Sequence, residues 1–222
     1  ILDYISDIVE GDARQAITML ELLSNVGIDF SLDEVKEVIG KGKAYHKLED
    51  KYDTISAMIK SIRGSDPDAA VYWLAKMLSG GEDPLYTARR LVILASEDIG
   101  LANPQALPIA VAGMQAAKDI GMPEVRIILA EVALYLALSP KSNSAYNAID
   151  DALYNIENSR IQEIPSHLKK VGKKDYKYPH AYDNNFVNQK YMLEKIEFYK
   201  AGKNKFEDAA LDRLDKLWNN KK

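Results

Sequence analysis

A chain of 222 residues, 47% of them apolar, can bury one large core or two small ones, which excludes a disordered tail. Its 28% charged residues sum to a net charge of −4, without the basic balance of a protein built mainly to grip nucleic-acid phosphates. Cysteine is absent, which excludes a disulfide framework, a thiolate metal site and a cysteine nucleophile and fits a reducing cytosol.

No apolar run reaches membrane-spanning length, and the start at Ile1 carries no signal-like segment. The expectation is a soluble intracellular piece of something longer. Ile1 to Val9 predicts a short helix ending at Gly11. Asp12 then caps a helix from Ala13 to about Ser24, with Ala16, Ile17, Leu20 and Leu23 on its buried side. Ser31-Leu32-Asp33-Glu34 is a capping box, and Phe30 and Val35 can staple it, so a third helix starts at Leu32 and stops near Gly40. GKGKAYHKLEDK, over 40–51, is glycine-bearing and charged, which predicts a linker and a domain boundary.

From Tyr52 to Leu107 three pairs punctuate the chain, Asp66-Pro67, Asp83-Pro84 and Asn103-Pro104, each shortly after a glycine. Proline at the first helical position loses an N–H that had no partner, while the residue before it caps the next free donors. Short helices follow, with Ile55, Met58, Ile59 and Ile62, then Ala70, Trp73, Leu74 and Met77, then Leu85, Ala88, Leu91 and Ala95 at helical spacing. Pro104 to about Ile120 repeats the pattern through Leu107, Ala110, Val111 and Met114. Pro123 opens a strongly apolar helix with Val125, Ile128, Leu129, Val132, Ala133 and Leu136, predicted to be central. Ser139-Pro140 ends it, and a helix from about Ser142 to Ile156 uses Ala145, Ala148, Ile149, Ala152 and Leu153. Nothing alternates long enough for a sheet, so the fold class is all-α.

Residues 160–189 lose the period and gain tyrosines. An irregular tail is expected there, pinned to the helical body by Tyr176, Tyr178, Tyr182 and Phe186. A last amphipathic helix from about Phe206 to Trp218 carries Ala210, Leu214, Leu217 and Trp218. The division is therefore 1–40, linker 41–51, helical domain 52–159, irregular tail 160–199 and C-terminal helix 200–222.

Catalytic apparatus is scarce. GKGK at 40–43 lacks P-loop spacing, and no HExxH, Glu-x-x-His pair or cysteine cluster supplies a metal site. His46, His167 and His180 read as structural rather than ligating residues. Lys169, Lys170, Lys173, Lys174 and Lys177, interleaved with Tyr178 and its neighbours, suit either a phosphate backbone or a solvated loop. Gly11-Asp12-Ala13-Arg14 puts an arginine in a helix's first turn, positioned to reach a phosphate held by another domain or to pair locally. Tyr72, Trp73 and Met77, with Leu129, Val132 and Leu136 of the apolar helix, offer more hydrophobic area than a small body needs, and are the candidates for an interface between copies.

GDARQAITMLELL resembles the sensor-2 helix in the lid of clamp-loader-type AAA+ ATPases. KSIRGSDPDAAVYWLAKML, GEDPLYTARRLVILASEDIGLANPQAL, YLALSPKSNSAY, IPSHL, YKYPHAY and FVNQKY resemble, in order, the C-terminal part of the bacterial RarA or MgsA family, related to the Werner-helicase-interacting ATPase. The resemblance implies an AAA+ lid over residues 1–40 with Arg14 as the sensor-2 arginine, supported by Gly11 and Asp12, and a helical domain that assembles a homotetramer. It implies no cofactor in this chain, ATP and magnesium in a longer parent ATPase, and a bacterial cytoplasmic, nucleoid-associated setting. Single-stranded or branched DNA and single-strand-binding protein are the implied partners. KKVGKKD after Leu168 is shorter than the family's connection, and the extension after Tyr199 has no counterpart there. A helical adaptor, binding protein or nucleic acid through the basic, tyrosine-bearing tail, is the alternative reading.

Overall fold

The structure, a computed structural model, describes residues 1–9, 13–26, 31–35, 48–170 and 175–219, without the side chains at 8, 14, 15, 18, 22, 25, 26 and 48–50. Among the described residues there is helix and no strand, as the apolar spacing predicts.

Helices α1 (Leu2–Val9) and α2 (Ala13–Val26) and a helical turn over 32–35 form one small unit. Ile5 and Val9 meet Met19, Leu23 and Val35 in its own buried cluster. The expected inner face of α2 is corrected here. Ile17 and Leu20 are exposed, because the helix turns Met19 inward with Leu23 and leaves Ala16 at the margin. The capping box forms: the Glu34 N–H donates to Ser31 Oγ at 3.3 Å, and the Ser31 N–H donates to Glu34 Oε2 at 2.9 Å. Its proposed staple residue Phe30 lies outside the described residues.

The larger unit begins with α3 (Leu48–Arg63), so helix already runs through the last residues read as linker. Next come α4 (Pro67–Ser79) and α5 (Pro84–Leu94). Both start as the Asp-Pro pairs predict. Asp66 Oδ1 accepts from the Ala69 N–H at 2.9 Å and Asp83 Oδ1 from the Leu85 N–H at 3.0 Å. The third pair behaves otherwise: Asn103 Oδ1 accepts from the Gln105 N–H at 3.2 Å, a turn that delays α6 to Ala106–Asp119. Helix α7 (Val125–Leu138) is central, in contact with α3, α4, α5 and α6.

The core gathers Ile55, Met58, Ile62, Leu74, Met77, Leu91, Leu94, Leu129 and Leu136, and it ends at Ala137. On α6 the buried residues are Ala106, Ala110 and Gly113, while Leu107 and Val111, expected inside, are exposed. Small residues let the α6 and α7 backbones close up. A Cβ at Gly113 would stand 2.5 Å from Val132 Cγ2. Helix α8 (Ser144–Asn158) meets the segment at 95–102, and the row Ala145, Ile149 and Leu153, expected to be buried, is exposed instead. Helix α9 (Lys205–Asn219) closes the chain.

Candidate functional site

The residues of the singled-out segments converge on a polar seam where α3, α5, α7, α8 and α9 meet. At the end of α5 the helix widens into a π turn over Ala95–Ile99, and a 3-10 turn over Gly100–Ala102 follows. The widened turn brings Glu97 and Asp98 to Arg63. The guanidinium donates from Nε to Asp98 Oδ1 at 2.6 Å and from Nη2 to Glu97 Oε1 at 3.1 Å. The Asp98 hydrogen bond, offset in part by burial, raises the pKa of Arg63. Asp98 is buried, and its Oδ2 has no hydrogen-bond partner among the described residues.

Gly100 is obligatory at the next position. Its φ is +46°, and a Cβ there would stand 2.9 Å from the Ser142 carbonyl oxygen. The Ser142 N–H in turn donates to the Asp98 carbonyl at 2.8 Å. Lys141 caps α7: its ammonium donates to the carbonyls of Leu136, Ala137 and Ser139 at 3.1, 2.9 and 2.5 Å. Burial lowers its pKa, and the Asp98 charge works against that. Asn103 Nδ2 donates to Tyr135 Oη at 2.9 Å and Ser139 Oγ at 3.0 Å, tying the 3-10 turn to α7.

Glu207 of α9 completes the seam. It is fully buried and collects donors from Tyr199 Oη at 2.9 Å, the Gly202 N–H at 3.1 Å and Asn204 Nδ2. Burial pushes its pKa up, but hydrogen bonds from Ser142, Ser144, Asn204 and Gly202 outweigh that and hold the carboxyl at about 2. Tyr199 is pushed up to about 12, by burial first and then by the Glu207 carboxylate. Every group here fixes a backbone or another side chain. The chemistry of the seam is that of a joint, setting where α8, α9 and the tail leave the core.

A family model described as MgsA AAA+ ATPase C terminal matches residues 64–218, and one described as AAA C-terminal domain matches residues 1–63. The chain belongs to the MgsA AAA+ ATPase C-terminal family. It is 42% identical over 233 residues to "Replication-associated recombination protein A" of Bacillus subtilis, covering 95% of this chain and 55% of that protein. The Haemophilus influenzae protein of the same name is 34% identical over 240 residues, 98% of this chain and 53% of the relative. "ATPase WRNIP1" of Dictyostelium discoideum is 36% identical over 227 residues, 87% and 26%. The chain thus spans about half the length of these bacterial relatives.

In this family member the expected site residues are scattered. Arg14 stands in the first turn of α2 with its side chain outside the described set, and Gly11, Asp12, Lys173 and Lys174 lie outside the described residues altogether. Of the six interface candidates, Met77, Leu129, Val132 and Leu136 are buried in the protomer's own core, which already accounts for their apolar character. Trp73 packs partly against that core, and Tyr72, 63% exposed, meets its ring edge-on at 5.0 Å. Apolar surface is left over at several places, among them α8, where Ile149 is 55% and Leu153 49% exposed, beside an exposed Tyr146.

The tail is organised by side-chain amides rather than by tyrosine packing. Tyr176, Tyr178 and Tyr182 are exposed, contrary to expectation, and Tyr178 sits tilted against His180 with ring centres 5.2 Å apart. Gln189 accepts from the Lys177 N–H at 3.3 Å and donates to its carbonyl at 2.8 Å. Phe186 packs edge-on against Trp218 at 5.0 Å, so the tail is held to α9. His167 Nε2 lies 2.8 Å from the Lys190 carbonyl, and His180 Nδ1 lies 3.2 Å from Asn185 Oδ1. Among the described residues no three His, Asp or Glu side chains converge as a metal site, and no helix is long and apolar enough to cross a membrane. Sequence reasoning missed Glu207, although Asn204-x-x-Glu207 has the spacing of a capping box; the Glu207 N–H donates to Asn204 Oδ1 at 3.0 Å.

Proposed function

We propose that this chain is the non-catalytic assembly end of an MgsA-type AAA+ ATPase, with residues 1–40 as the nucleotide-sensing lid and the helical body joining copies into a homotetramer. The observation that carries the reading is α8. Tyr146, Ile149 and Leu153 recur at i, i+3 and i+7 on one face of the helix, and that face is exposed after the core has closed. An amphipathic helix left with its apolar face outward needs a second surface to cover it, and a symmetric oligomer supplies one.

In the longer protein Arg14 would meet the terminal phosphates of ATP bound with magnesium by segments outside this chain. Guanidinium suits that task because it stays charged and presents a planar fork of donors. The assembled oligomer would carry the ATPase to single-stranded or branched DNA.

The test is the paired variant Ile149→Asp and Leu153→Asp, followed by light scattering on a size-exclusion column. The variant is expected to leave helix content unchanged and release protomers. Unchanged assembly in that variant would remove α8 from the interface.

A further inference from the structure

Three segments singled out in the sequence, IPSHL at 164–168, YKYPHAY at 176–182 and FVNQKY at 186–191, meet outside the seam. The Gln189 amide takes both the N–H and the carbonyl of Lys177, at 3.3 and 2.8 Å, and His167 Nε2 lies 2.8 Å from the Lys190 carbonyl. Gln189 Nε2 also donates to Tyr191 Oη at 3.0 Å, which fixes that phenol by its hydroxyl and leaves the residue exposed. Side chains thus hold the arms together, and between them His167, Leu168, Lys169, Lys170, Tyr176 and Tyr191 line a cavity of about 340 Å³.

Charge and ring alternate across this patch. Residues 167–170, 175–178 and 189–191 hold four lysines, Lys169, Lys170, Lys177 and Lys190, against one acid, Asp175, on a chain whose net charge is −4. All four lysines are exposed, and among the described residues none of their ammonium groups has an ion-pair partner. Tyr176, Tyr178 and Tyr191 are exposed beside them, and none of the three belongs to the buried core. The result is a clamped surface of free cations and open phenol rings.

We propose that this patch binds a single strand of nucleic acid, with phosphates against the four lysines and bases stacked on Tyr176, Tyr178 and Tyr191. It rests on the DNA reading given above and adds the surface that meets the strand. Three observations favour a single strand over an acidic peptide or a duplex. Exposed phenol rings offer flat faces to unstacked bases, whereas a chain of carboxylates has no use for them. Lys169 and Lys170 line the cavity, Lys177 stands between Tyr176 and Tyr178, and Lys190 stands beside Tyr191, so charge accompanies the rings as phosphates accompany bases. Among the described residues the arms hold no α-helix or strand that could enter a duplex groove.

The test uses the 222-residue chain and a fluorescein-labelled oligothymidine of about 15 nucleotides. Fluorescence anisotropy at low salt is expected to give saturable binding with a dissociation constant on the order of 10 μM. The affinity should fall with salt at a log–log slope of about −3, from four lysines at about 0.7 each. Lys169→Glu with Lys170→Glu should weaken binding by about tenfold or more and cut that slope to about half, with circular dichroism unchanged. Tyr176→Ala with Tyr178→Ala should weaken it by about tenfold and leave the slope alone, because stacking releases no counterions. The same charge change on the helical body, Lys60→Glu with Lys118→Glu, should cost less than about threefold. No binding, binding indifferent to the tyrosine pair or to the lysine pair, or displacement by polyaspartate as readily as by unlabelled oligothymidine overturns the proposal. The same variants placed in the longer protein separate the two readings: undiminished binding of the strand there overturns this patch and leaves the DNA reading standing, whereas a longer protein that binds no strand removes both.

Discussion

Tyr199 donates its phenolic hydrogen to the fully buried carboxylate of Glu207 across 2.9 Å. Through that pair the last helix and the tail are fastened to the connection between α7 and α8. Replacing Glu207 by Ala would strand the Tyr199 hydroxyl, the Gly202 N–H and the Ser142 and Ser144 hydroxyls without their acceptor. It is expected to cost about 3 kcal/mol, read as a lower denaturant midpoint, with Glu207→Gln costing less because one acceptor oxygen survives.

The same joint has a pH signature. Glu207 is harder to protonate folded, at about 2, than in an unfolded chain near the ordinary 4.5. Its stabilisation is therefore fully present above pH 4.5 and is lost as pH falls toward 2. Tyr199 acts at the other extreme: raised to about 12 from 10, it contributes in full below pH 10 and loses that contribution as pH climbs toward 12. Urea titrations across the acid range should show wild type losing more stability than Glu207→Gln. Parallel curves for the two would contradict the assignment.

Arg63 and Asp98 give a second, separable prediction. Arg63→Met leaves the buried Asp98 carboxylate without its partner and should cost about 2–3 kcal/mol, a figure reduced because the guanidinium is half exposed. The double change Arg63→Met with Asp98→Leu removes the stranded charge and should recover part of the loss. Thermal unfolding of the single and double variants measures the coupling, and additive losses would sink it.

Gly113 tests the close approach of α6 and α7. A Cβ at this position meets Val132 Cγ2 at 2.5 Å, and valine's stiff χ1 leaves little room to yield. Gly113→Ala should destabilise by about 1–3 kcal/mol, despite alanine's better helix propensity, with Val132→Ala restoring part of it. A stabilised Gly113→Ala protein would mean that the two helices have room to spare.

For the lid, Arg14→Ala in the longer protein should impair nucleotide hydrolysis or its coupling to lid movement while oligomer mass stays the same. Hydrolysis and nucleotide affinity both unchanged would remove the sensor role.

How much of this could be read from the chain depended on which physical signal carried it. Punctuation by Asp66-Pro67 and Asp83-Pro84 located helix starts to the residue, because capping is a local event between neighbours. The Asn103-Pro104 turn was misplaced for the same reason inverted: the Asn103 amide nitrogen is engaged by Tyr135 and Ser139, more than thirty residues away. Periodicity found α2, α6 and α8 but only part of each inner face: Leu23, Ala110 and Met114 lie inward as expected, whereas Ile17, Leu20, Leu107 and Val111 do not. On α6 the apolar residues go all the way round, so the inner face is settled by who fits against Val132, and alanine and glycine fit where Leu107 and Val111 do not. On α8 the helical period is present, but Ile149 and Leu153 find no cover among the described residues. The seam around Asp98 and Glu207 was illegible because its members come from five separated elements, each unremarkable in its own window. Family resemblance grouped those segments without saying why they belong together, and the hydrogen bonds among Arg63, Asp98, Ser142 and Glu207 supply the reason.

The claim that copies of this chain cover one another through α8 is tested most directly by the mass of the particle in solution. Sedimentation equilibrium of the 222-residue chain across the micromolar range should return four times its 24.8 kDa. A mass of 24.8 kDa at every concentration, with Ile149 and Leu153 still open to water, would contradict the account.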